Sequence, residues 1–547
     1  MKKYPRCPRW SDLISITVNL IFLLLILTPQ HGFTQQGQAK YGGTVLIGMK
    51  GDFDSLNELN ASDSDALQVI QNMLFMTLTR LDEKLQFAPY LAQSWTFSPG
   101  DTVLTYQLRQ DVFWTDGTST TAEDVLFTYQ LATNPKVAYP ASSRFDLTER
   151  VEAVDRFSVR FHFKKPYPDA LSDTQIPILP RHILGHIPPE ELVKSKFNRQ
   201  PVGNGPFKLT EWRANEQLIF EANDRHAFGR PFLDRVVFQI MPDENVLLTN
   251  LMIGELDLVP SLTPSSFKRV QSQTALQSVR FDGRGFTFVG WNLTRSLFDQ
   301  TVRRALTHAV NKQEIIATLL EGFAQPARGP LLPFVWAFDE NLPAVDYDPQ
   351  KAQALLKQAG WTDSDGDGIL DKAGQKLEFT IRTNAGSQIR KDTAVMLQAQ
   401  WRQIGVKAHI EALEWNLFLE RVFGQRDFDA VIMGWDADFT VNPTDLWHSN
   451  AVESGYNFVS YRNPRVDWLL EQGRLNSVRE AALPVWYEFQ KIIVQDAPYT
   501  FLFIPDQLTG FNKRIQGVKM DVRGFLSSVT HWWIPADQRK SQMVIKK

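Results

Sequence analysis

Residues 91–129, LAQSWTFSPGDTVLTYQLRQDVFWTDGTSTTAEDVLFTY, decide the fold class. Val103 to Arg109 (VLTYQLR) alternate apolar and polar residues, the period of a strand with one buried face. Asp116-Gly117 then marks a turn. Thr120 followed by Glu123 predicts a capping box, opening a helix through about Leu131. Strand, turn and helix thus follow one another closely. Mixed rather than segregated elements predict an α/β or α+β architecture.

The same interleaving runs outward in both directions. Gly43 to Met49 has a strand pattern, and Asp65 to Leu78 predicts a helix. Val159 to Phe163 alternates as a further strand, and residues 176–192 are rich in proline and irregular. The pattern resets after residue 203, where Phe207 to Trp212, Gln217 to Glu221 and Val236 to Ile240 read as strands. Helices dominate the later third. Asp348-Pro349 opens one as N-cap and first residue, and Gly360 closes it. Ala352, Leu355, Leu356 and Ala359 fall on one face of it. Asn463-Pro464 opens another, closing near Gly473, and between the two Ala430 to Met433 reads as a buried strand.

The bulk properties set limits. At 547 residues the chain exceeds a single ordinary core, so two or three domains are expected. With 43% hydrophobic and 22% charged residues it is a folding rather than a disordered composition. Lys+Arg of 58 against Asp+Glu of 61 leaves no electrostatic footprint for nucleic acid or anionic lipid. The 15 tryptophans offer flat amphipathic contact surface, either for a large core or for a ligand. Cys7 is the single cysteine, so neither an internal disulfide nor a cysteine metal site is available.

The N-terminus predicts export. Lys2, Lys3, Arg6 and Arg9 precede the apolar run Leu13 to Leu27, which is short for a membrane span and suits a signal peptide. Cleavage and a periplasmic location are expected. No A-x-A site stands out, which leaves an uncleaved anchor as the alternative.

Motifs for enzyme chemistry are absent: there is no GxSxG, P-loop, HExxH or GxGxxG. His182 and His186 have the four-residue spacing of helical metal ligands, but prolines flank them. Asp363, Asp365, Asp367, Gly368 and Asp371 resemble half of a calcium loop, with Gly374 where a bidentate Glu belongs. A polar turn is the preferred reading. No cofactor and no firm metal site is expected.

Five segments, in order, resemble the family 5 bacterial extracellular solute-binding proteins, the dipeptide, oligopeptide and nickel-binding group. They are the opening segment, VGNGPFKLTEW (202–212), VRRALTHAVNKQEIIATLLEGFAQPARGPLLP (302–333), YDPQKAQALLKQAGWTDSDGDGILDKAGQKLEFTI (347–381) and MGWDADFTVNPTDLW (433–447). The resemblance implies a two-lobed fold of the type II periplasmic-binding-protein kind, with an extra inserted domain and a two-strand hinge. After signal and linker (1–40), lobe one would comprise 41–80, 203–295 and 505–547. The inserted domain II would span 81–202, and lobe two 296–504. It further implies a receptor that captures short peptides by lobe closure. The receptor, as a monomer, would deliver them to an inner-membrane ABC permease with ATPase subunits. A nickel chelate, an oligosaccharide or an opine are alternative cargoes. A secreted hydrolase and a sensory receptor are the competing classes.

The site residues are also carried by the resemblance. Asp438 falls where peptide binders of the family hold a carboxylate against the peptide's amino group. Trp435 would wall a side-chain pocket, and Gly434 and Asp436 would present backbone to an extended peptide. Ser64, on the opposing lobe, with Trp415 and Asn457, completes the set. Two of them have a plain alternative, core packing for Trp435 and a helix cap or surface acid for Asp438. Two departures count against strict dipeptide specificity: Asn442-Pro443 replaces Asp-Pro, and Arg390 is out of register for gripping a carboxylate.

Overall fold

A computed structural model describes residues 40–454, 456–475 and 478–540 of the chain. The basic and apolar leader, with Cys7, lies outside them. No helix among the described residues is long and apolar enough to cross a membrane.

Two sheets organise the molecule. In the first, Thr44–Met49 runs parallel to Arg235–Ile240 and Leu258–Val259, and Gln217–Ala222 and Phe207–Arg213 extend it antiparallel. In the second, Glu378–Asn384 is parallel to Lys407–Leu413 and Ala430–Asp436, and Gly285–Trp291 lies antiparallel to Ala430–Asp436. Residues Ala430 to Met433 are buried, as an uninterrupted apolar run requires.

One strand belongs to both sheets. The second half of Tyr499–Asn512 pairs with Leu276–Asp282, and its first half with Gly285–Trp291 and Ala324–Pro326. At the crossover the backbones nearly touch: a Cβ on Gly283 would lie 2.2 Å from the Pro505 carbonyl oxygen. Only glycine permits that approach. The crossing therefore falls at 283–284. Gly285–Trp291 lies with the second sheet, and its Phe288, Val289 and Trp291 are buried in the cores around that sheet.

The inserted region carries its own antiparallel sheet, in the order Ala92–Phe97, Val103–Leu108, Ser158–Phe163, Thr148–Asp155. Leu104, Tyr106, Val159 and Phe161 point into a core continuous with that of lobe one. Its helix, Ala122–Ala132, is capped one residue later than the spacing suggested. Thr121 is the N-cap, and its amide donates to the Asp124 carboxylate at 2.8 Å. Thr120 is buried, and its amide is already given to the Val112 carbonyl.

The first helix also departs from expectation. It runs Ser64–Val69, widens over Ile70–Leu74 and stops short of Leu78. The segment after residue 202 docks on its end, where the Gly205 amide donates to the Leu74 carbonyl at 2.8 Å. A Cβ on Gly203 would come within 2.0 Å of the same oxygen. The glycines of VGNGPF thus terminate a helix distant in sequence. Both Pro-opened helices form as read: Pro349–Gln358 with Asp348 as cap, and Pro464–Gly473 with Asn463 as cap.

Candidate functional site

Strand Ala430–Asp436 leaves the core of lobe two and runs toward the crossover, where Asp436 pairs with Gly285. Its inner edge is fully paired to Gly285–Trp291. Its outer edge pairs with Glu378–Asn384 only through Ala430 and Val431. Among the described residues, no strand pairs with that edge from Met433 to Asp436. Gly434 is needed there, since a Cβ would sit 2.9 Å from the Phe286 carbonyl oxygen.

The loop that follows faces the inserted domain and is tied at several points. The Ala437 amide donates to the Arg284 carbonyl at 2.8 Å, beside the crossover. Asp438 Oδ1 accepts from the Phe439 amide at 2.7 Å. Asp438 Oδ2 accepts from Arg144 Nη2 of the inserted domain at 2.7 Å. The Val441 amide donates to Asp169 Oδ2, also of the inserted domain, at 3.0 Å.

Asp169 is a buried acid whose side-chain partners all lie in lobe two. Besides Val441, it accepts from Trp336 Nε1 and from Arg479 Nη2, both at 3.0 Å. Burial pushes its carboxyl above the usual range, and Arg479 pulls it back. Burial, then the charge of Asp169, raise neighbouring Asp173 to about 7. These contacts tie the segment around Asp169 to Trp336, to Arg479 and to the loop that follows strand Ala430–Asp436.

The sequence-derived candidates do not all converge. Gly434, Trp435, Asp436 and Asp438 share the strand end and loop just described. The Trp435 ring is half-buried among Phe288, Phe423, Tyr456 and Phe458, and its Nε1 donates to Tyr499 Oη at 3.3 Å. Its wall is therefore rigid on one side. Trp415 is 45% exposed at the start of a short helix and stacks on Phe418. Ser64 is exposed at the start of the first helix. Asn457 is fully buried, and its amide is occupied by the loop itself, donating to the His448 and Tyr461 carbonyls and accepting from the Tyr461 amide. That places it in loop support rather than at a ligand surface.

Arg390 lies nearer this site than its sequence register suggested. Its Nη2 would be 3.3 Å from a Cβ on Gly434, and its Nη1 donates to Asn384 Oδ1 at 2.9 Å. Burial lowers its pKa, with the charge of Asp436 opposing. Arg144, Asp169, Trp336 and Arg479 were missed altogether.

A cavity of about 620 Å³ lies among Lys312, Gln325, Arg328, Phe338 and Tyr347. None of the candidate residues lines it. The two histidines do not form a metal pair: the helix Arg181–Leu184 ends before His186, and His182 bonds Asp116 at 2.7 Å.

Of the acid-rich turn, Asp363, Asp365 and Asp367 come together, all exposed. Asp371 turns away to accept from Ser364. The Lys376 ammonium sits on Asp365 and Asp367. A cation bound here must displace that lysine and do without a bidentate Glu. Calorimetric titration with calcium is therefore expected to give no better than about micromolar affinity. A submicromolar value would show that the turn is a calcium site.

Comparisons with known proteins agree on one family. The model for bacterial extracellular solute-binding proteins, family 5, matches residues 86–457. The oligopeptide-binding protein AppA of Bacillus subtilis (strain 168) is 33% identical over 507 residues, covering 91% of this chain and 93% of that protein. The solved structure of AppA from the same organism, in complex with a nonapeptide, superposes with a TM-score of 0.79 at 32% identity, covering 90% of this chain and 99% of that one. NikZ from Campylobacter jejuni, in complex with Ni(L-His), also gives 0.79, at 29% identity over 90% of this chain and 99% of that one.

Proposed function

This chain belongs to the family 5 bacterial extracellular solute-binding proteins, and on that premise we propose that it is the extracytoplasmic receptor of an ABC-type importer, capturing short peptides. The observation that carries the reading is the open edge of strand Ala430–Asp436, followed two residues on, in the next loop, by the half-exposed carboxylate of Asp438. An extended peptide can add to that edge by backbone pairing, as in other strand-addition complexes. Its amino terminus then meets an acid with a free face. AppA, similar along nearly its whole length, is named for oligopeptides and holds a nonapeptide in its solved structure.

Such a receptor acts by closure and performs no bond chemistry. The crossover at Gly283 gives the axis, and the contacts of Asp169 and Asp438 are those that closure makes. Ligand favours the closed form by its differential affinity for it. The partners in this reading are a permease with its ATPase subunits, and the location is periplasmic, after removal of the leader.

Peptide binding is expected to reduce the scattering radius and to stabilise the fold by about 2.7 kcal/mol at a hundredfold excess over Kd. Native mass spectrometry of protein purified without refolding should reveal co-purified peptides. An unchanged melting point across a broad peptide library, with stabilisation by nickel-histidine instead, would transfer the cargo to a metal chelate.

A further inference from the structure

Lys312 is a buried cation that meets no acid. It opens the helix Lys312–Leu319, directly after the cap Asn311. The residue is 8% exposed. Its Nζ donates to the Ala327 carbonyl at 3.1 Å, one acceptor for an ammonium with three N–H donors. Among the described residues, no carboxylate forms an ion pair with it. Burial alone lowers its pKa, to about 8, and no neighbouring charge opposes the shift. At neutral pH it is therefore still mostly an ammonium. A buried charge without a counter-charge is costly to keep.

Lys312 also lines the cavity of about 620 Å³, a volume within the range of small-molecule sites. Two features of the wall suit an anion with an apolar body. Asn311, Lys312 and Gln313 bring the N-terminus of the helix to it, whose partial positive charge adds to that of the ammonium. Leu331, Phe338, Val345 and Ile504 supply apolar surface. Arg328 is a second cation on the wall, with its Nη1 donating to the Glu340 carbonyl at 3.1 Å. Glu340 and Asp346 line the cavity as well, and both are exposed. Solvent screens these acids, and screens the buried ammonium much less. The buried cation thus favours one negative charge, and the two acids oppose a second.

We propose that this cavity is a second binding site, for a small monocarboxylate with an apolar body. The carboxylate would sit on the Lys312 ammonium and the body against Leu331 and Phe338. Neither Trp435 nor Asp438 lines the cavity, so the site is separate from the strand edge proposed for peptides and stands without that reading.

Calorimetric titration of the protein with 3-phenylpropionate, hexanoate and 3-phenylpropionamide tests this. Both acids should bind. The amide, which has nearly the same shape and no charge, should bind about tenfold more weakly than its acid, the worth of a hydrogen bond to a charged group. Lys312→Met should abolish that preference. It also removes the bond to Ala327, so a second variant leaves the buried end intact. Ala344→Trp, at an exposed position on the wall, fills the cavity and should weaken acid and amide alike by more than about tenfold, with the midpoint of urea unfolding unchanged. Failure of both acids to bind wild type at millimolar concentration would overturn the proposal. So would equal affinity of wild type for acid and amide, an unchanged preference in Lys312→Met, or undiminished binding in Ala344→Trp.

Discussion

Asp438→Ala is expected to weaken a peptide with a free amino terminus by about 1.5–3 kcal/mol, the worth of a hydrogen bond to a charged group, or more than tenfold in affinity. Loss of one partner from a fully buried pair costs more, about 3–5 kcal/mol. Here the acid is half-exposed and already paired with Arg144, so the smaller figure applies. Asp438→Asn keeps the shape without the charge and should cost nearly as much. N-acetylated peptides, which lack the ammonium, should change little beyond what the loss of the Arg144 contact imposes on both. A cycle of protein and ligand changes by calorimetry separates the two terms. Equal weakening of free and acetylated peptides would show that the carboxylate is structural, holding the loop through the Phe439 amide.

The largest effect on stability is expected at Asp257→Ala, about 3–5 kcal/mol. Asp257 is wholly buried, and Arg514 grips it through Nε at 2.7 Å and Nη2 at 2.5 Å. The same carboxylate accepts from the Leu46 amide at 2.9 Å, and Arg514 also reaches the Thr44 carbonyl at 3.2 Å. These bonds fasten the C-terminal tail to the first strand. Truncating the acid leaves a guanidinium and an amide buried with a partner lost. The midpoint of urea unfolding, at unchanged slope, reads the loss. A shift worth under about 1 kcal/mol would mean that water replaces the carboxylate.

Local signals in the sequence were read well, and distant ones were not. Asp348-Pro349 and Asn463-Pro464 cap helices through their own neighbours, so their spacing suffices. The Thr120 reading slipped by one because two adjacent threonines offer the same local pattern, and burial of the first decides between them. The helix expected to reach Leu78 was cut short by Gly203 and Gly205, which no window around it contains. The site divides in the same way. GWDAD places Trp435 and Asp438 together on one strand end, which a motif can show. Arg144 and Asp169 meet that loop across 294 and 272 residues, and contacts at such separation have no period to betray them. Asn457 carries the same sequence signal whether it binds ligand or holds a loop, and only its three internal hydrogen bonds distinguish the two.

The strand Tyr499–Asn512 has a kinetic consequence. It lies inside both sheets yet comes near the end of the chain. During synthesis, N-terminus first, each sheet waits with a gap until this segment arrives. Neither core can close early on its own, so the two lobes complete folding in one late event that depends on contacts of high sequence separation. Such topologies fold slowly and leave unpaired strand edges exposed meanwhile. A slow final step couples the completion of both sheets to a single strand.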